Sequence, residues 1–126
     1  MKLIESFEII TLRESGMRGS VEYEITAQGS DAEVAQYQIR YNYPENERIL
    51  ERRATVSTDE VLRMINDCKM LSWDGFSGKH PRGVRDGIMF SLEAVVNGGK
   101  RIRADGSQNF PKRYREFRDG IYNILR

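Results

Sequence analysis

Polar and apolar positions alternate through the first half of this chain. From Ser20 to Ala27, Val21, Tyr23 and Ile25 fall on one side and Glu22, Glu24 and Thr26 on the other. Period two with one polar side is the pattern of a half-exposed antiparallel strand. Leu3 to Leu12 is apolar and β-branched. Val34 to Tyr43 places Tyr37, Ile39, Tyr41 and Tyr43 opposite Gln36, Gln38, Arg40 and Asn42, and Arg48 to Val56 pairs back. Turn residues separate these runs at 14–19, 28–31 and 43–47. They predict four strands joined as consecutive hairpins.

The period then changes. Ser57-Thr58-Asp59-Glu60 reads as a capping box, and Val61, Leu62, Ile65 and Cys68 recur at helical spacing, predicting a helix that stops near Met70–Ser72. Residues 73–85 read as a Gly-rich loop carrying the only Trp and the only His. Gly87 to Val96 and Lys100 to Ala104 read as a hairpin closed by Asn97-Gly98-Gly99. Asp105 to Asn109 reads as a turn, and Pro111 as the start of a last helix. That helix has Tyr114, Phe117, Ile121, Ile124 and Leu125 as its apolar stripe. The order ββββ-α-ββ-α, with short connections, excludes an all-parallel sheet. It predicts an α+β domain: an antiparallel sheet of about six strands with two helices packed on one face. The tyrosines line either the covered face or the open one.

Composition narrows this without changing it. The 126 residues fit one domain, 1–126, with 39% hydrophobic and 31% charged residues. A lone cysteine calls for no oxidising compartment, no apolar run is long enough for a membrane span, and the acidic start is no signal peptide. The expected location is cytoplasmic. Net charge is +1, but residues 1–63 carry 8 Lys/Arg against 12 Asp/Glu and residues 64–126 carry 12 against 7. A basic second half hints at an anionic partner, but scatter of charges on a solvated surface is the favoured reading.

Candidate chemistry is sparse. Cys68 continues an apolar stripe and reads as core. One His and one Cys supply no usual zinc site, so no metal or cofactor is expected. Asp74, Asp86 and Asp105 each precede Gly, the ordinary turn dipeptide. A hydrolase would have to use His80 with Asp74 or Asp86. There is no nucleotide-binding Gly motif. Lys79, Arg82 and Arg85 decorate the Gly-rich loop. Lys100, Arg101 and Arg103, then Ser107, Gln108 and Asn109, then Lys112, Arg113 and Arg115 form a basic strand–turn–helix able to hold an anion or nucleic acid. Trp73 with Phe76 either closes the core under the loop or marks a contact surface.

The stretch Ile102 to Pro111, followed by Tyr114, Phe117 and Ile121, resembles the ending of uncharacterised bacterial families of unknown function, and Trp73-Asp74-Gly75-Phe76 is similar to theirs. The resemblance covers roughly the last 55 residues. It implies a bacterial origin and a strand–turn–helix ending, and brings no activity.

The leading expectation is a non-catalytic binding or interaction module. It would meet a protein partner, or a second copy through a sheet edge, on its aromatic open face or its 73–87 loop. Candidate ligand contacts are Trp73, His80, Arg85, Arg101, Arg103, Ser107, Asn109 and Arg113. Their convergence on one concave site would favour a ligand or a reaction. Their dispersal would favour a protein partner.

Overall fold

The computed structural model describes residues 3–17, 19–42, 44–83 and 87–126. Tyr43, Arg85 and Asp86 lie outside the described residues. The chain runs β1 (Phe7–Gly16), β2 (Gly19–Gln28), β3 (Asp31–Asn42), β4 (Glu45–Ser57) and α1 (Thr58–Asp67), then a 3₁₀ turn (Met70–Trp73). It continues as β5 (Ser77–Gly78), β6 (Met89–Val96), β7 (Lys100–Ser107) and α2 (Tyr114–Leu125). The seven strands form one sheet in the order β4-β3-β2-β1-β6-β7-β5. All pairs are antiparallel except β5 with β7. The expected α+β order holds, with one strand more: two residues of the loop reach the β7 edge as β5.

Register decides which side chains share a face. Ile10 lies opposite Ile25, and Ile25 opposite Val34; on the other side Ile10 faces Ala94, and Ala94 faces Ile102. Leu12, Tyr23, Leu92 and Ala104 form the next row. Every one of these is buried, so this face carries the core. The helices cover it with Val61 and Ile65 of α1 and Tyr114, Phe117, Ile121 and Leu125 of α2, all buried. Strand alternation and the helical stripe therefore meet along one continuous apolar layer.

Several boundaries differ from the sequence reading. Asp105-Gly106-Ser107 is strand rather than turn, because it pairs with β6 on one side and β5 on the other. Gly106 is required there by space: an added Cβ would collide with the Asn109 carbonyl and the Phe90 ring. Helix α2 starts at Tyr114, three residues after Pro111, because Arg113 takes left-handed backbone (φ 67°). Residues 111–113 make a separate turn, closed by Tyr114 N–H to the Pro111 carbonyl. Strand β4 begins at Glu45, where the sequence reading places a turn, through the pairs Asn42–Glu45, Tyr41–Asn46 and Arg40–Glu47.

The start of α1 follows its sequence signal. Ser57 Oγ accepts from Glu60 N–H at 3.1 Å. Its end is different: the α-helix closes at Asp67, and Lys69 turns left-handed into the 3₁₀ segment. Helices α1 and α2 come close at Gly120, where a Cβ would strike the Met64 sulfur.

Candidate functional site

The face without helices is a charged lattice. Glu22 is buried there, held by Arg13 at 2.8 Å and Arg48 at 2.7 Å. Arg48 also meets Glu24 at 3.1 Å and lies 3.9 Å above the Tyr37 ring. Burial opposes the Arg48 charge, but Glu22 and Glu24 outweigh it and hold its pKa above the usual arginine value. Arg53 pairs with Glu33, and Arg101 and Arg103 both pair with Glu93. The face is therefore internally neutralised, and its arginines are already engaged. Tyr37 and Tyr41 stand on it, while Tyr23 sits on the covered face. Tyr41 Oη and Ser20 Oγ share a 2.7 Å hydrogen bond.

Among the described residues the sequence candidates do not gather at one place, although His80 and Ser107 meet. Trp73 is core: it is buried against Tyr114 and Phe117, and its Nε1 donates to the Lys112 carbonyl at 3.0 Å. Arg101 and Arg103 project on the open face of β7. Arg113 lies at the start of α2, on the helix side, and donates to the Asp67 carbonyl at 3.1 Å. A cation there suits the negative end of the α1 dipole, which has no basic residue of its own. His80 Nδ1 lies 2.8 Å from Ser107 Oγ. Asn109 Nδ2 reaches the Lys79 carbonyl. Arg85 is outside the described residues.

Asp74 is bound elsewhere. Its Oδ1 accepts from Arg103 N–H at 3.0 Å and its Oδ2 lies 3.8 Å from Lys100 Nζ. Arg103 and Ser107 are four residues apart on β7, about 13 Å of strand, so Asp74 is not placed to orient His80. Asp86, the other carboxylate considered, is outside the described residues. Cys68 is buried in the core, and burial pushes its thiol up to about 11. It holds a packing position rather than that of a nucleophile. Among the described residues no group of His, Cys, Asp and Glu side chains could hold a metal.

What the fold does assemble is at the β1–β2 hairpin end of the sheet. Met17 is 83% exposed, Met89 58% and Ile88 38%. Ile88 packs beside Gly16, and Met89 pairs with Ser15. Ile88 divides two clefts. One, of about 280 Å³, is mostly apolar and lined by Glu14, Met17, Gly19, Val21 and Ile88 among others. The second, of about 350 Å³, lies between Ile88, Phe110 and Tyr114 on one side and Arg113, Arg115 and Arg118 on the other.

Glu14 lines the first cleft and bonds two residues that line the second. It points to the covered face, where the Tyr114 hydroxyl donates to it and Arg118 approaches at 3.4 Å. Burial, and then the bond to Glu14, push the Tyr114 phenol up. Burial and Tyr122 do the same for Tyr23, whose ring meets Tyr122 edge-on. Arg118 keeps a buried Nε–H without a partner, so Glu14 does not exhaust its hydrogen-bonding capacity.

Sequence reasoning missed this site for a simple reason. Ile88 lies 71 residues after Met17 in the chain, and neither it nor the nearby Glu14 and Met17 carries a motif. The exposed methionine beside a Gly turn was the only local sign.

Comparison with protein-family models, with curated proteins and with solved structures finds no match for this chain.

Proposed function

We propose that this chain is a non-catalytic interaction module whose hairpin end docks a protein partner. One observation carries the reading: Met17 and Ile88 stand exposed on one apolar cleft, Ile88 also lines the second, and the next residue, Met89, is exposed as well. Clustered exposed apolar side chains mark contact surfaces in soluble domains. Methionine in particular adapts to a partner's shape. The clefts also favour a protein over a free small molecule. Volumes of about 280 and 350 Å³ fall just below and just above the lower end of the usual ~300–1,000 Å³ range for ligand pockets. Each suits a single anchoring side chain of a docked segment.

Other surfaces fit less well. The long outer strand β4 presents Glu45, Glu47, Arg48, Glu51, Arg52 and Arg53, with a register irregularity opposite Gln36–Tyr37. Charges and bulges blunt an edge against strand addition. Anion or nucleic-acid binding through the basic C-terminal strand–turn–helix draws little support, because Arg101 and Arg103 lie on one side of the sheet and Arg113 on the other.

The test is selection from a random-peptide display library on the wild-type chain, with Ile88→Glu as the counter-target. Ile88 is partly exposed, so the variant keeps its fold, verified by an unchanged thermal midpoint. Enriched peptides that lose binding to Ile88→Glu support docking at this end. Absence of enrichment, or peptides that bind Ile88→Glu equally well, overturns it.

A further inference from the structure

We infer that the segment docked at the hairpin end carries a large apolar side chain next to a carboxylate. This rests on the docking reading and names the chemistry of its partner. The two clefts differ in kind. The one over Val21 and Met17 is mostly apolar, with Glu14 and Ser15 as its polar lining, and takes an apolar anchor. The one across Ile88 has an aromatic wall, Phe110 stacked on Tyr114 at 4.7 Å, facing three arginines.

The charges there are unequal in availability. Arg118 is compensated by Glu14. Arg113 spends one N–H on the Asp67 carbonyl and keeps the rest of its fork of donors. Arg115 is exposed, with no acidic partner among the described residues. Glu116 is the acidic side chain in the lining itself. A cation surplus therefore remains at the cleft mouth. A carboxylate on the partner meets Arg115 and Arg113 there, while its neighbouring apolar group lies against Ile88 and Phe110. Planar guanidinium forks suit a carboxylate.

Three small probes with the same phenyl-alkyl body separate the two parts of this inference: 4-phenylbutyrate, its neutral primary amide and 4-phenylbutylamine. Each is titrated into the ¹⁵N-labelled full chain. The acid is expected to shift the amides of Ile88, Tyr114 and Arg115 saturably. It should bind about fivefold more tightly than the amide, as one exposed ion pair allows, and the amine more weakly still. The preference should shrink with added salt, vanish in Arg115→Glu and persist in Arg115→Lys.

Equal binding of acid and amide overturns the carboxylate inference while leaving apolar docking standing. No shift at these amides from any probe overturns the inference as well. The peptide selection with Ile88→Glu then judges docking separately.

Discussion

Glu14 is the residue on which the covered end of the sheet most depends. Its side chain is 11% exposed, accepts from the buried Tyr114 hydroxyl and faces Arg118, itself 30% exposed. Glu14→Ala removes both partners' acceptor at once. A hydrogen bond to a charged group contributes about 1.5–3 kcal/mol, and a buried hydroxyl left without an acceptor costs about 1–3 kcal/mol. These overlap, since water reaches the site through the adjoining cleft, and the exposure of Arg118 discounts the ion pair. The expected loss is about 3 kcal/mol, or a thermal midpoint lower by about 10 °C for a domain of this size.

Glu14→Gln keeps an acceptor for Tyr114 and should lose about half as much. The assay is urea unfolding at pH 7, with Tyr114→Phe and the double variant completing a cycle. Coupling between Glu14 and Tyr114 of about 1–2 kcal/mol is expected. A loss below about 0.5 kcal/mol for Glu14→Ala, with additive single effects, would refute the idea that this contact stabilises the fold.

Further outcomes follow from the same reasoning. The phenols of Tyr23 and Tyr114 are both held above their usual pKa, chiefly by burial. The folded chain keeps these protons when the unfolded chain has released them. Stability is unaffected below about pH 10 and then falls, by about 1.4 kcal/mol per pH unit for each of the two. Absorbance at 295 nm should show them ionising only on unfolding, and Tyr114→Phe should make the alkaline fall shallower. Gly106→Ala forces a Cβ against the Asn109 backbone and Phe90 and should cost about 2–3 kcal/mol in urea unfolding. Ser57→Ala removes the Oγ that receives Glu60 N–H and should cost about 1 kcal/mol. Cys68, buried and with its thiol pushed up to about 11, should resist Ellman's reagent at pH 8 until denaturant is added. Rapid labelling of the folded chain would contradict its place in the core.

The sequence by itself determined the elements. Local alternation in β1–β4, the Ser57 cap and the Tyr114–Leu125 stripe are properties of neighbouring residues, and neighbouring residues are legible. Thus Tyr23 could be set opposite Glu22 and Glu24 on its own strand, Tyr37 opposite Gln36 and Gln38 on its own, and Cys68 in the core. Tertiary structure alone decided strand partners, and with them everything that depends on distant residues meeting. Asp105-Gly106 has the composition of a turn, but pairing on both sides makes it strand. Arg101 and Arg113 are close in sequence, yet the sheet runs between them. Glu14 looks like a residue at a hairpin turn until α2 brings Tyr114 and Arg118 over it, a hundred residues along the chain. Whether the tyrosine-bearing side of β3 is covered depends on which face the helices choose. That choice follows from the summed apolar area of all the strands, which no single segment reveals.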